Sequence, residues 1–238
     1  MHSSITIISA FLSPAEWSAV LLSLKIAGIS TIVTFPVAVL IGWSLARIDF
    51  IGKSVVEGFI HLPLVMPPVT TGYLLLLIFG THGIIGGWLF RNFEIRLAFN
   101  QAAAVIAAVV VAIPLMTRSI RTAIEMVDPR MEDASRTLGV SPILTFLRIT
   151  FPLALPGIIG GTVLGFARAL GEFGATITFA GNIEGETRTI PLAVYSYMQT
   201  PGKEGATLRL VIISAIIALI AMIAAEYLNK RVKRRQEQ

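Results

Sequence analysis

The sequence predicts an all-α, polytopic membrane protein with about five transmembrane helices. Hydrophobic residues fill 55% of its 238 positions and charged residues only 14%, and the mean hydropathy is +0.79. Soluble domains contain about 25% charged residues, and they avoid the large apolar surface that this composition would expose. The solvent for most of the molecular surface is therefore lipid.

Five apolar stretches are long enough for a helix to cross a hydrocarbon core, which takes about 20 residues. They are residues 17–46, 55–79, 99–120, 153–180 and 208–228. A backbone inside lipid must satisfy its own hydrogen bonds as a helix or a closed barrel, and these stretches are too long for barrel strands. We expect one transmembrane domain over residues 1–238. Residues Ile5–Leu12 are expected to form a lead-in and not a cleaved signal peptide, since no cationic region precedes them.

The distribution of lysine and arginine predicts the orientation of the spans. With the N-terminus outside, the cytoplasmic segments hold Arg47, Lys53, Arg118, Arg121, Arg130, Arg136, Arg148, Lys230, Arg231, Lys233, Arg234 and Arg235. The outer segments hold Arg91, Arg96, Arg188, Lys203 and Arg209. Because cytoplasmic loops are enriched in basic residues, the pattern favours an outer N-terminus, a cytoplasmic C-terminus and five crossings of a bacterial or archaeal inner membrane. The net charge of +5 follows from this bias, and no nucleic-acid partner is expected.

Several kinds of chemistry are not indicated by the sequence. The chain has no cysteine, which excludes disulfides and thiolate metal sites. It has no Gly-x-x-x-x-Gly-Lys-Ser/Thr phosphate-binding loop, so we expect no ATPase activity in the chain itself. We also expect no catalytic residues, metal site or cofactor. A secondary transporter is a less favoured alternative, because repeated halves and coupling-ion ligands are not evident.

The predicted cytoplasmic segment, residues 128–150, carries the start and stop signals of a short helix of about ten residues. Asp128 is a favoured N-cap and Pro129 a favoured first helical residue. Gly139 suits the left-handed position just past a helix end. Ser141 and Pro142 repeat the start signal for a second helix.

This short helix has an apolar and a polar side. The apolar positions are Val127, Met131, Ala134 and Leu138, and the polar positions are Arg130, Asp133, Arg136 and Thr137. Such a helix suits docking into a groove of a soluble partner. It equally suits a helix that lies on the membrane surface, and the pattern alone does not separate these two interpretations.

The spacing of this segment resembles the EAA loop of ABC-importer permeases. The residues Asp133–Ser135, then after three residues Gly139, then after nine more Ile149–Pro152, follow the family pattern Glu-Ala-Ala, three residues, Gly, nine residues, Ile-x-Leu-Pro. The resemblance implies a type I importer (MetI-like) permease fold and a coupling helix that seats in a cleft of a separate ATPase subunit, present in two copies. The implied coupling residues are Arg130, Met131, Glu132, Asp133, Ala134, Ser135, Arg136, Leu138 and Gly139. Because aspartate is shorter than glutamate, either Asp133 or Glu132 makes the family's polar contact to the ATPase.

Two further regions are similar to molybdate permeases. Residues 61–75 resemble their second span, residues 165–176 occur in the wider oxyanion group, and residues 177–191 are closest to the molybdate members. The resemblance implies import of molybdate, with tungstate also accepted. The alternatives are a permease for sulfate or thiosulfate and a tungstate-specific importer. It also implies a second copy of this chain and an extracytoplasmic molybdate-binding protein as partners.

Inside the predicted spans, Arg168 and Glu172 are four residues apart and therefore share a helix face. Ionisable groups within spans usually face the bundle interior or a water-filled cavity. The pair lies on an anion path or ties the fourth span to its neighbours. Candidate hydroxyls for the same path are those of Thr70, Thr71, Thr176 and Thr178, and Pro67 with Pro68 should bend the second span, either as a hinge or as a packing kink.

Overall fold

A computed structural model describes the backbone of residues 12–236 and the side chains of residues 12–232, so most of the expected lead-in lies outside the described residues. The described chain contains ten helices and no strand. They are α1 (Pro14–Arg47), α2 (Lys53–Val65), α3 (Pro68–Phe79), α4 (Ile84–Phe93), α5 (Gln101–Glu125), α6 (Pro129–Thr137), α7 (Pro142–Leu170), α8 (Gly174–Phe179), α9 (Ile190–Met198) and α10 (Glu204–Gln236). Within α7, residues Phe146–Thr150 form a π-helical turn.

Helices α1, α5 and α7 form the centre of the bundle. The side of α5 that faces α1 and α7 carries small residues. Five alanines on it are fully buried: Ala103, Ala104, Ala107, Ala108 and Ala112. Small side chains let the backbones of neighbouring membrane helices approach closely. The alanine-rich third stretch of the sequence is therefore the central helix of the fold.

Contacts between helix ends show how the chain runs. At one end of the bundle, Lys25 in the first third of α1 donates a hydrogen bond to Gln101 at the start of α5, with 2.7 Å between Nζ and Oε1. At the other end, Arg47 at the close of α1 donates to the Val127 carbonyl just after α5, at 2.8 Å. Helices α1 and α5 therefore run in the same direction, and the intervening chain must return across the bundle.

Four helices, α1, α5, α7 and α10, are long and apolar enough to cross a membrane, and the pair α2–α3 makes a fifth if the two count as one span. The pair is bent by 114°. Pro67 is the N-cap of α3 and Pro68 its first residue, where proline has no amide hydrogen to donate to the preceding turn. The bend predicted at these prolines is confirmed, and it breaks the span into two helices.

The fourth apolar stretch is also discontinuous. Helix α7 ends at Leu170, and the chain resumes helical structure only at Gly174. Glu172, within this break, is buried. The predicted stretch 153–180 is therefore one long helix followed by the six-residue helix α8, because hydropathy reports burial in lipid and does not register a helix end.

An ion pair fixes the N-terminal ends of α1 and α10 to each other. Both Nε and Nη2 of Arg209 donate to Oε1 of Glu16, at 3.1 and 2.8 Å, and Glu16 also completes a capping box with Ser13. Tyr197 of α9 packs in the adjacent apolar cluster. Burial, together with the Glu16 carboxylate, raises the pKa of the Tyr197 phenol above its ordinary value.

Candidate coupling site and translocation path

Helix α6 begins and ends where the sequence signals place it. The Asp128 side chain accepts a hydrogen bond from the Arg130 amide at 2.9 Å, and Pro129 is the first helical residue. Gly139 adopts a φ of +78° directly after the C-cap Leu138, and Ser141 caps α7 through the Leu144 amide. The predicted short helix is confirmed, with nine residues.

The inward side of α6 is polar and is tied to two other helices. Oε1 of Glu132 accepts hydrogen bonds from Arg47 Nε of α1 at 2.9 Å and from Thr150 Oγ1 of α7 at 2.8 Å. The Ser135 hydroxyl lies 3.0 Å from that of Thr145, also in α7. The Glu132 side chain is only 5% exposed and that of Arg47 only 11%. These contacts hold α6 directly against α1 and α7.

The exposed surface of α6 carries an apolar strip beside its charged residues. Met131 is 52% exposed, Leu138 is 84% exposed and Ala134 is also exposed. Val127, assigned to the same side by its spacing, is instead buried in the bundle because it precedes the helix. An exposed apolar strip on a helix whose other side is anchored suits docking to a partner protein.

The structure distinguishes the two carboxylates considered for a contact with a partner. The Asp133 side chain is 71% exposed, and its one ion pair among the described residues is a long contact of 3.9 Å to the Arg136 guanidinium. Glu132, in contrast, is enclosed by Arg47 and Thr150. Asp133 is thus available to another subunit. Glu132 holds the helix in place.

Three residues that hold α6 to the bundle were not identified from the sequence: Arg47, Thr145 and Thr150. Arg47 was interpreted only as an orientation signal at the end of a span. Thr150 stands at the variable position of the motif ending in Ile149–Pro152. A basic residue at a span end and a hydroxyl at the start of the next are weak signals, because their partners are distant in sequence.

Arg168 and Glu172 form the ion pair that their spacing predicts, with 2.6 Å between Nη1 and Oε2. Oε1 of Glu172 accepts a hydrogen bond from the Ala175 amide at 2.8 Å. The carboxylate therefore stabilises the start of α8 and neutralises Arg168. Its side chain is 2% exposed, whereas that of Arg168 is 27% exposed, so the guanidinium alone reaches the surface of the chain.

The four candidate threonines lie around the contact between α3 and α8. A Cβ added at Gly72 would be 2.6 Å from the Ala175 carbonyl oxygen, so only glycine permits this approach. Thr70 is exposed, whereas Thr176 and Thr71 are buried. Within the described residues the Thr71 hydroxyl has no hydrogen-bond partner, and Thr178 donates to the Gly174 carbonyl. The four predicted threonines therefore lie together, and the hydroxyl of one of them, Thr178, is already used in a hydrogen bond within α8.

We expect replacement of Glu172 by alanine to destabilise the chain by about 1–3 kcal/mol, because the buried Ala175 amide loses its acceptor and Arg168 loses its ion-pair partner. Thermal unfolding of the purified protein in detergent measures this effect. The matched control is Glu184→Ala, which breaks the ion pair with Arg188. Exposed pairs contribute about 0–1 kcal/mol, and Glu184 is 59% exposed. Equal losses of stability in the two variants would contradict the structural role of Glu172.

A bundle of membrane-length helices that carries a short surface helix held to it by buried polar contacts defines a polytopic membrane protein. A solved structure with the same fold is the MetNI methionine ABC transporter in inward-facing conformations. Its TM-score is 0.73 at 17% identity, over 92% of this chain and 98% of that chain. The expected all-α, MetI-like type I importer fold is confirmed.

Sequence comparison then identifies the family. Residues 38–234 match the family described as binding-protein-dependent transport system inner membrane component. The molybdenum transport system permease protein ModB of Haemophilus influenzae is 50% identical over 220 residues, which are 92% of this chain and 96% of the relative. The protein of that name from Escherichia coli K12 is 51% identical over 219 residues, with the same coverage. The chain belongs to this family of inner-membrane transport components.

Proposed function

We propose that this chain is the permease subunit of an ATP-driven importer that carries molybdate, and also tungstate, into the cytoplasm. The observation that carries the proposal is helix α6, which is anchored inside by Glu132 and exposes Met131 and Leu138 outside. A helix built in this way transmits force from a soluble subunit to the bundle. The choice of molybdate is supported by the two molybdenum transport permeases that are 50% and 51% identical to this chain. These relatives do not favour sulfate.

The proposed assembly contains two copies of this chain, two ATPase subunits and an extracytoplasmic binding protein. Each copy acts as one domain over residues 1–238. ATP hydrolysis belongs to the partner, which receives α6 in a cleft and moves it on closing. The displacement reaches α1 through Arg47 and α7 through Thr150, the two helices that hold Glu132.

The proposed orientation places α6 and the C-terminus in the cytoplasm and the N-terminus outside. It is supported by the basic residues that gather at the α6 end of the bundle. The binding protein then delivers the anion to the opposite end, near α4 and α9. From there the anion passes the α3–α8 contact, where Thr70 is exposed and the guanidinium of the Arg168–Glu172 ion pair offers hydrogen-bond donors at the surface of the chain.

Reconstitution into proteoliposomes tests the proposal. The permease is purified with its ATPase, and the binding protein is added with labelled molybdate on the side opposite α6. We expect accumulation that requires ATP and the binding protein, is competed by tungstate more strongly than by sulfate, and persists when ion gradients are collapsed. Accumulation driven by an ion gradient without ATP would contradict the proposal, and preferential competition by sulfate would reassign the substrate.

A further inference from the structure

A cleft of about 430 Å³ separates α2 from the second half of α5, and eight of its nine lining residues have polar side chains. Helix α2 has no buried residue, so the side that faces α5 remains accessible. The cleft lies at the α6 end of the bundle, because α5 ends at Glu125 and its chain continues directly into Asp128 and α6.

The two carboxylates of this cleft are already neutralised in part. Arg121 holds both of them: its Nη1 is 2.7 Å from Oε1 of Glu57, and its Nε is 2.7 Å from Oε1 of Glu125. His61, on the same wall, has its Nδ1 2.8 Å from the Glu57 carbonyl oxygen. These groups are engaged with one another and tie α2 to α5.

Arg118 and Thr117 in the same cleft are not engaged in this way. Among residues 12–232, Arg118 has no ion pair or hydrogen bond. The Thr117 side chain is fully buried and lines the cleft, yet its hydroxyl has no partner within the described part of the chain. Arg118 precedes the end of α5 by seven residues, which is about 10 Å of helix. An arginine at this depth is costly unless it meets water or an anion.

We propose that this cleft is a transient binding site for a tetrahedral oxyanion, with Arg118 as its cation and Thr117 as a hydroxyl donor. The proposal rests on the function proposed above and adds a second binding site on the anion path, at the α6 end of the bundle. The formal charges of Arg118, Arg121, Glu57 and Glu125 cancel. A dianion is therefore held by local donors and not by a large net charge, which suits a site that must also release its ion.

The test compares Arg118→Gln, Arg118→Lys and Thr117→Val in the proteoliposomes described above, with molybdate uptake and ATP hydrolysis measured in the same vesicles. We expect Arg118→Gln to lower uptake by about tenfold or more, the effect of losing one charge-assisted hydrogen bond, with ATP hydrolysis retained. Arg118→Lys should restore part of the uptake. The matched control is Arg231→Gln, which removes an exposed arginine from α10 at the same end of the bundle and should leave uptake unchanged.

Each outcome separates this proposal from the one on which it rests. If the wild-type complex accumulates no oxyanion, the proposed function fails. If the wild type transports and Arg118→Gln transports within about twofold of it, a difference too small for a lost charged hydrogen bond, the cleft is not a binding site. A defect seen only in vesicles of anionic lipid would assign Arg118 to a lipid headgroup and overturn the proposal. Should Arg118→Gln fail to assemble with the ATPase, Thr117→Val decides, and unchanged uptake in that variant would also overturn it.

Discussion

Replacing Gly139 with proline is expected to abolish ATP-driven uptake while leaving the chain inserted in the membrane. Gly139 has a φ of +78°, whereas proline fixes φ near −65°. Its amide also donates a hydrogen bond to the Arg136 carbonyl at 2.9 Å, which proline cannot make. The turn that joins α6 to α7 is then lost, and we expect the ATPase to hydrolyse ATP without moving the bundle. Uptake and hydrolysis in the same vesicles measure this uncoupling.

A series of substitutions at Gly139 provides the control. A Cβ at this position meets no atom within 4 Å, so side-chain volume is not a factor and only the backbone conformation matters. Asparagine tolerates the left-handed region better than alanine does, and uptake should fall in the order Gly, Asn, Ala, Pro. Wild-type uptake by Gly139→Pro would refute the role of the turn.

The second large effect is expected from Glu132→Ala. Arg47 would remain buried without its carboxylate, and breaking a buried pair in this way costs about 3–5 kcal/mol. Thr150 would also lose its acceptor. Because these are the bonds that connect α6 to α1 and α7, we expect the helix to detach, with faster amide hydrogen exchange over residues 129–141 and fewer anions imported for each ATP hydrolysed.

Two variants at neighbouring positions separate anchoring from docking. Glu132→Gln keeps an oxygen acceptor for Arg47 and Thr150 and should give an intermediate loss. Asp133→Ala removes an exposed carboxylate and should weaken association with the ATPase without raising hydrogen exchange in α6. If Glu132→Ala retained the wild-type ratio of anion to ATP, the buried contacts would not be the route of coupling.

The local structure of α6 could be predicted from sequence because its signals are local. Asp128, Pro129 and Gly139 act within one turn of the backbone, and each occupies the predicted position. The direction in which the helix faces could not be predicted. Its inward side is polar, and the partners that make Glu132 an inward residue, Arg47 and Thr150, are 85 and 18 positions away.

In the membrane helices, too, the features set by neighbouring residues could be predicted and those set by distant contacts could not. The Arg168–Glu172 pair follows from a spacing of four, and the bend at Pro67 follows from proline chemistry. The end of α7 at Leu170 is invisible to hydropathy, because the apolar stretch continues through Phe179. Arg118 was counted only as a basic residue at a span end, since its place in a cleft depends on how α2 lies against α5.

The location of Leu138 relative to the membrane and the ATPase tests the central claim most directly. The chain has no cysteine, so Leu138→Cys introduces a single thiol at a position that is 84% exposed. A membrane-impermeant maleimide should label it only from the cytoplasmic side, and oxidation should crosslink it to a cysteine in the cleft of the nucleotide-binding subunit. Labelling only from the outer side, or no crosslink in a complex that still transports, would contradict the assignment of α6 as the coupling helix.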